Sequence, residues 1–152
     1  MNSLSAELAH VVGAAEAVLR KVPEKESQQP VLKGGWSRKQ VIGHLIDSAS
    51  NNHQRFVRAA LQGSLDFPAY EQAGWVRVQA AEEAPWPVLL ALWADYNRYL
   101  AHVIVHLPAD KLEARCRIGE GEPVTLRFLA QDYLRHLLHH LGQIGAAPAK
   151  QR

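Results

Sequence analysis

The sequence has a single cysteine, Cys116, and no run of apolar residues long enough to cross a membrane. One cysteine excludes a disulfide within the chain and a zinc site built from several of its own cysteines. A membrane-spanning helix needs about 18 or more consecutive apolar residues. The opening segment, MNSLSAELAHVVGAAEAVLRK, lacks the basic start and long apolar centre of a secretory signal. These absences predict a cytoplasmic protein with no membrane partner.

The chain also lacks a strong excess of one charge. Its 17 Lys and Arg residues nearly balance 15 Asp and Glu residues, which gives a net charge of +2 with the histidines neutral. The basic residues are scattered and form no run or aromatic stripe of the kind that binds nucleic acid, so no nucleic-acid partner is expected. A length of 152 residues with 47% hydrophobic content predicts one globular domain, residues 1–152, with a substantial core.

Four segments show the apolar period of 3.6 residues that is typical of amphipathic helices. They span residues 4 to 23, 38 to 62, 87 to 108 and 125 to 143. Ser37 and Gln40 form a capping-box pattern at the start of the second. Pro87 is a favoured first-turn residue for the third, and Thr125 is a candidate N-cap for the fourth. Four helices with one long connection, between helices 2 and 3, predict an all-α four-helix bundle.

The connection between helices 2 and 3, SLDFPAYEQAGWVRVQAAEEAPW, contains turn residues and aromatic residues. We expect it to hold short helical pieces, and a connection of this length is usually functional or a crossover between helices. The segment RCRIGEGEPVT is the only strand-like part of the sequence. Its glycines, Gly119 and Gly121, allow a short hairpin.

Two histidines one helical turn apart, His136 and His140, fall on the apolar stripe of the fourth helix. Because residues four apart are neighbours on a helix surface, both imidazoles can reach one metal ion. The same spacing also fits two half-buried histidines bonded to core groups. The polar stripe of this helix, expected to face solvent, contains Asp132, Arg135, His139 and Gln143. A second pair, His102 and His106, is interpreted as helix-surface residues or as residues that support the metal ligands from helix 3.

A third histidine, His44, begins a polar row on the second helix. Ser48, Asn51 and Arg55 follow it at steps of four, three and four residues, so they lie on one side of the helix. The row runs beside an apolar seam and fits the wall of a pocket in which Asn51 and Arg55 hold an anionic substrate. The alternative is that Asn51 and Arg55 are exposed polar residues.

With these residues identified, the chain resembles the DinB-like superfamily, whose members are metal-binding four-helix bundles and include bacillithiol and mycothiol transferases. The resemblance covers roughly residues 34 to 143 and rests on GGWSRKQVIGHLIDSASNNHQRF, PAYEQAGW and HLLHHLGQI. The matching positions are Trp36 and Ser37, His44 with Asp47 and Ser48, Tyr70 with Glu71 and Trp75, and His136 with His140. His139 resembles the family's frequent extra histidine, which is not a ligand.

The resemblance implies one divalent ion, zinc, nickel or iron, held by His44, His136 and His140. Asp47 and Ser48 are expected to support these ligands, although Asp47 can equally make a surface bond. The residues expected to bind substrate are Asn51, Arg55, Tyr70 and Trp75. No catalytic side chain is assigned, and Cys116 is interpreted as an incidental thiol because no helix N-terminus is clearly aimed at it.

The sequence leaves four functional interpretations open. The family resemblance favours a thiol S-transferase that joins a low-molecular-weight thiol, as co-substrate, to a small electrophilic substrate. The same site fits a metal-dependent hydrolase, because a bound ion also activates water. A non-catalytic, stress-related metal-binding protein is the further alternative. A homodimer is expected because members of the superfamily often pair. The last interpretation is a helical interaction module that dimerises through an apolar helix face.

Overall fold

The helices and strands are described here from a computed structural model that covers residues 1–148. In chain order they are α1 (Asn2–Leu19), α2 (Glu24–Ser27), α3 (Arg38–Gln62), β1 (Ser64–Phe67), α4 (Gln72–Val78), α5 (Trp86–Val105), β2 (Arg115–Ile118), β3 (Val124–Thr125) and α6 (Leu126–Gln143). A turn of 3₁₀ helix, Ala109–Lys111, lies between α5 and β2. Among residues 1–148, no helix combines the length and the hydropathy needed to cross a membrane.

The four long helices α1, α3, α5 and α6 pack together as a bundle. Helix α5 packs against both α1 and α3, and α6 packs against α3. Their inward faces supply the core side chains that are at most 1% exposed, including Leu8, Leu19, Ile42, Leu45, Phe56, Leu90, Trp93, Ile104, Leu126 and Leu137. Burying a side chain of this size contributes about 1.5–3 kcal/mol. The all-α four-helix bundle expected from the apolar periodicity is confirmed.

The predicted starts of α3 and α6 match the structure because each carries a local signal. Helix α1 ends at Leu19, before the predicted stop near Pro23, and α5 ends at Val105, before Pro108. The Ser37 hydroxyl accepts a hydrogen bond from the Gln40 backbone N–H at 3.2 Å, and the Gln40 side chain accepts one from the Ser37 backbone at 2.9 Å. At the start of α6, the Thr125 hydroxyl accepts a hydrogen bond from the Phe128 N–H at 3.1 Å. Such caps contribute about 1 kcal/mol each. Helix α5 begins one residue before the predicted Pro87, which lies in its first turn.

A three-stranded sheet in the order β1-β2-β3 lies at one end of the bundle. The predicted hairpin is present as the antiparallel pair β2 and β3. Strand β1 was not predicted; it pairs in parallel with β2, with Leu65 opposite Cys116. Its partner lies far along the chain, so the local pattern of SLDF could not reveal it. Cys116 is fully buried, and burial raises the pKa of its thiol, which leaves the sulfur unreactive.

Two buried charged side chains tie the elements together. The ammonium of Lys39, 1% exposed, forms an ion pair with Glu24 and donates to the backbone oxygen of Ala84 at 2.7 Å. The carboxylate of Glu16 pairs with Arg20 at 2.5 Å and with Arg98 of α5. Buried charges are tolerated when they are paired in this way. The pair of Glu16 with Arg98 therefore joins α1 to α5, and Lys39 joins α3 to α2 and to the segment just before α5.

The connection between α3 and α5 passes through β1 and α4 and returns along α3. It packs closely on α3 at Gly43, where an added Cβ would lie 2.8 Å from the Cβ of Ala81. A glycine is therefore required on this face of α3 for the connection to pack at its present distance. Because Gly43 directly precedes His44, this contact lies next to the predicted metal site.

Candidate metal centre

Three imidazole rings converge where α3 meets α6. Nε2 of His136 lies 3.2 Å from Nε2 of His44 and 3.1 Å from Nε2 of His140. One ring nitrogen from each residue lies within 4.8 Å of the other two. His44 is fully buried, and the other two rings are half-buried. The structure thus brings together the three histidines that the sequence singled out, and we call them the histidine triad.

The spacing of the triad nitrogens fits a shared cation. Two nitrogens about 2.0–2.1 Å from one ion are about 3.4 Å apart at a tetrahedral angle and about 3.0 Å apart at a right angle. The observed 3.2 Å and 3.1 Å lie between these values. Nδ1 of His140 donates a hydrogen bond to the side-chain oxygen of Gln143 at 2.8 Å, which leaves Nε2 of a neutral His140 with a lone pair directed at the triad.

The surroundings keep the triad rings neutral, which is the form that binds metal. Burial, followed by the nearby His140 and His136, lowers the pKa of His44 to about 3. Burial and His140 lower the pKa of His136 to about 4, although the Asp132 carboxylate acts in the opposite direction. Burial also lowers the pKa of His140. All three rings are therefore available as neutral ligands at neutral pH.

The residues expected to support the ligands lie in different positions. The Ser48 hydroxyl is 3.4 Å from Nδ1 of His136, where it can accept the proton of a ring that binds metal through Nε2. The Asp47 carboxylate instead accepts a hydrogen bond from Gln79 at 2.9 Å, and burial raises its pKa. Nδ1 of the buried His44 has no hydrogen-bond partner among residues 1–148. Ser48 therefore contacts a triad ring, whereas Asp47 bonds to the connection.

A cavity of about 260 Å³, here called the polar cavity, opens beside His136. Its polar lining residues are Ser48, Asn52, Arg55, Tyr70, Gln72, Asp132, Tyr133 and His136. The half-buried Arg55 guanidinium lies 5.5 Å from the ring centre of Phe67, and within the described chain no carboxylate forms an ion pair with it. Burial lowers the pKa of Arg55, but an arginine remains charged in proteins. The cavity therefore contains a cation that lacks a protein counter-ion.

Tyr70 faces this cavity as a neutral phenol. Burial, and then the Asp47 carboxylate, raise its pKa to about 12, against the opposing effect of Arg55. Its ring centre lies 4.9 Å from that of Trp75, which is 40% exposed. Tyr70 can therefore donate a hydrogen bond into the cavity. Trp75 contacts the Tyr70 ring from outside the cavity.

The asparagine that lines the polar cavity is Asn52, one position after the predicted Asn51. Asn51 donates its side-chain amide to the backbone oxygen of Asp47 at 2.9 Å and is absent from the described lining, whereas Asn52 is part of it. Asp132, expected to face solvent, also lines the cavity, although it pairs with Arg135 at 2.5 Å. Asn52 lies four residues after Ser48, and Asp132 lies four residues before His136. Extending the helical rows of Ser48 and His136 by one turn would therefore have identified both residues.

A second cavity, of about 230 Å³ and here called the apolar cavity, lies on the other side of the triad beside His140. Its remaining lining residues are Leu32, Gly35, Trp36, Val41, Gln143 and Ile144. The ring centre of Trp36 is 5.4 Å from that of His44. Sequence reasoning missed this cavity because part of its wall comes from the segment before α3, which has no periodic pattern.

The other histidines lie outside the triad. His139 is exposed on α6, His102 is exposed on α5, and His106 is exposed directly after the end of α5. Nδ1 of His106 donates to the backbone oxygen of His102 at 2.8 Å. The surface position predicted for His139 is confirmed, and His102 and His106 take the surface alternative.

Comparison with known proteins places this fold and site in a family. A Bacillus pumilus protein named "Putative metal-dependent hydrolase" is 26% identical over 91% of this chain and 79% of its own length. The Bacillus subtilis protein YfiT, described as a probable metal-dependent hydrolase with an unusual four-helix bundle topology, superposes with a TM-score of 0.79 at 21% identity, over 93% of this chain and 83% of that one.

A mycothiol-dependent maleylpyruvate isomerase superposes with a TM-score of 0.78 at 15% identity, and the match covers 96% of this chain and 61% of that one. The family model described as the DinB superfamily matches residues 7–144, which is most of the sequence. This match agrees with the four-helix bundle and with the three motifs that contribute the triad and its neighbours. The chain therefore belongs to the DinB superfamily.

Proposed function

We propose that the chain holds one divalent metal ion through His44, His136 and His140 and acts as a metal-dependent thiol S-transferase on a small electrophile. The observation that carries the proposal is the convergence of three neutral imidazoles at the edge of a polar cavity. Three protein ligands leave coordination positions open, which is the arrangement of catalytic rather than structural sites. Imidazole ligands suit zinc, nickel and iron alike.

When bound, the ion lowers the pKa of a coordinated thiol or water, so that a strong nucleophile is present at neutral pH. In the proposed transfer, the sulfur lone pair forms a new S–C bond with the electrophile. The leaving group departs with the electron pair of the bond that breaks, and the thiol proton passes to solvent. The protein need not supply a nucleophile of its own, which is consistent with the burial of Cys116.

Side chains of the polar cavity supply binding and orientation in this proposal. Arg55 holds an anionic group of the substrate or the thiol, because its charge lacks a protein counter-ion and a partly dry site strengthens the attraction. Tyr70 donates a hydrogen bond beside it. The Asn52 amide nitrogen already donates to the backbone oxygen of Ser48 at 2.9 Å, so Asn52 accepts a hydrogen bond through its side-chain oxygen. Trp75 acts through its contact with Tyr70, and Asn51 through its bond to the backbone of α3. Ser48 fixes the ring orientation of His136.

Hydrolysis is the second candidate, and the names of the Bacillus relatives favour it. The same ion site would then activate water, and the polar cavity would hold the bond to be cleaved. Asp132, which lines this cavity, is a carboxylate that could accept the proton of the attacking water. The two candidates share the triad and Arg55, and they differ in which nucleophile enters the open positions.

Metal analysis of purified protein tests the ion site. We expect about one equivalent of a divalent metal in the wild type, its loss in His140→Ala, and its retention in His139→Ala, the matched control one position away. A His140→Ala variant that folds and retains the full metal content would refute the proposed ligand set.

Two assays then separate the candidate reactions. Cysteine with monochlorobimane reports S-transfer, and p-nitrophenyl acetate reports hydrolysis. Metal-dependent bimane conjugation that is lost in His140→Ala supports the transferase, and ester hydrolysis alone supports the hydrolase. Stoichiometric metal with neither activity favours the non-catalytic metal-binding alternative.

We also propose that the protein forms a homodimer. Support comes from α5, where the exposed apolar side chains of Val88, Leu92 and Tyr99 share one face. Their spacing of four and seven residues forms a stripe on the helix. Light scattering of the wild type and of Leu92→Lys tests this arrangement, and an unchanged mass in the variant would refute it.

A further inference from the structure

The histidine triad lies between two cavities of different chemistry. His136 lines the polar cavity and His140 lines the apolar cavity. The Nε2 atoms of these two rings are only 3.1 Å apart. A ligand in either cavity would therefore lie close to the point where the three rings meet.

The apolar cavity has little that could hold a charged group or an ordered water. Apart from His140, none of its lining residues is ionisable. The Gln143 amide is already engaged, because its oxygen accepts from His140 Nδ1 at 2.8 Å and its nitrogen lies 3.1 Å from Nε2 of His139. A buried water typically needs two to four polar partners. The cavity is thus suited to an uncharged organic group.

The size of the apolar cavity limits that group. An engineered protein cavity of about 150 Å³ binds benzene, and this cavity measures about 230 Å³. It can hold a single aromatic ring with a short substituent, or a branched alkyl group of similar volume. Leu32, whose side chain is 60% exposed, lies among the lining residues, and Trp36 contributes an aromatic wall.

We propose that the apolar cavity is a second substrate pocket that accepts the uncharged aromatic or alkyl part of the electrophile, opposite the Arg55 side of the triad. This inference rests on the proposed transferase function, in which two different substrates must meet at one ion. Arg55 then selects the anionic reactant and the apolar cavity selects the uncharged one. A lining that holds water poorly also protects the reacting centre from competing hydrolysis.

Fluorobenzene is a suitable probe, and its ¹⁹F resonance reports binding without any turnover. We expect the resonance to broaden on titration with wild-type protein. Ile144→Phe, which fills the cavity, is expected to weaken binding at least about tenfold. Leu32→Ala, at a position exposed enough to tolerate substitution, is expected to weaken it roughly fivefold through lost apolar contact. Val78→Ala, which trims a valine that is 82% exposed on α4 and lines neither the polar nor the apolar cavity, is the control and should match the wild type.

The position of the probe is tested with protein loaded with Co²⁺ or with Zn²⁺. Paramagnetic Co²⁺ should add strong broadening to bound fluorobenzene, and diamagnetic Zn²⁺ should not, because the cavity adjoins the triad. Three results would overturn the inference: absence of binding by the wild type, unchanged binding by folded Ile144→Phe and Leu32→Ala, or no Co²⁺ effect in protein that contains stoichiometric Co²⁺.

Failure of the proposed function gives a different pattern. If the triad takes up neither ion, the proposed ion site and the transferase fail, while cavity-dependent fluorobenzene binding to metal-free protein still supports an apolar pocket. If the ions bind and fluorobenzene does not, only the second substrate pocket fails.

Discussion

The buried hydrogen bond between Tyr133 and Asn97 allows a quantitative prediction for Tyr133→Phe. The Tyr133 hydroxyl donates to the side-chain oxygen of Asn97 at 2.5 Å, and the Asn97 amide donates to the backbone oxygen of Trp93 at 2.8 Å. Asn97 is fully buried and Tyr133 is 2% exposed. Removal of the hydroxyl leaves the Asn97 oxygen buried without a donor and costs about 1–3 kcal/mol of unfolding free energy.

For a chain of this length, each kcal/mol lowers Tm by about 2–4 °C, so Tyr133→Phe should melt roughly 2–12 °C below the wild type. Thermal and urea unfolding should be followed by circular dichroism in the presence of a chelator, so that bound metal does not contribute to stability. Tyr99→Phe is the matched control, because Tyr99 is 53% exposed and the substitution keeps the apolar ring on the proposed dimer face. Its stability should stay within about 0.5 kcal/mol of the wild type.

A double variant separates the unpaired oxygen from lost packing. Asn97→Leu removes the acceptor, so Tyr133→Phe should cost less in that background than in the wild type. A Tyr133→Phe variant as stable as the Tyr99→Phe control would refute the reasoning. An equal cost of Tyr133→Phe in both backgrounds would also refute it, because the effect would then not depend on the Asn97 oxygen.

Three further predictions concern the connection, a buried carboxylate and the support of the metal site. Gly43→Ala should cost about 1–3 kcal/mol through overpacking against Ala81, and Ala81→Gly in the same chain should restore the urea midpoint. Burial raises the pKa of Glu16, but hydrogen bonds and ion pairs with two arginines outweigh burial and hold that pKa below the ordinary 4.5. A carboxyl group with a lowered pKa stabilises the fold above the ordinary pKa, and this stabilisation is lost as the pH falls through the folded-state pKa. The stability deficit of Glu16→Gln at neutral pH should therefore shrink in acid, and an equal deficit at both pH values would contradict this. Ser48→Ala should weaken Zn²⁺ binding about tenfold because His136 loses its orienting contact; calorimetry with unchanged affinity would exclude that role.

Much of the bundle could be predicted from the sequence because its signals are local. The capping box at Ser37 and the cap at Thr125 each depend on residues three positions apart, and both appear as predicted. The apolar faces of the four long helices likewise follow from a short period. Strand β1 could not be predicted because its partner is β2, about fifty positions later, and only the folded bundle brings the two segments together.

The candidate site divides in the same way. The convergence of His44, His136 and His140 could be predicted because helical phase and the family motifs point to the same three rings. Asn51 and Asn52 differ by one step of helical rotation, so pattern alone could not decide which one faces the polar cavity. The apolar cavity was not predictable because its wall joins two helices to the irregular segment around Leu32.

The order of the three histidines along the chain would give the proposed metal ion a further role in folding. His44 and His136 are 92 positions apart, so an ion that binds both closes a very long loop, much as a cross-link would. A ligand that binds only the native state at about 100 times its dissociation constant adds about 2.7 kcal/mol of stability. Because α6 follows the other long helices among residues 1–148, a growing chain cannot complete this site until α6 has been synthesised. Metal uptake would therefore mark the packing of α6 against α3.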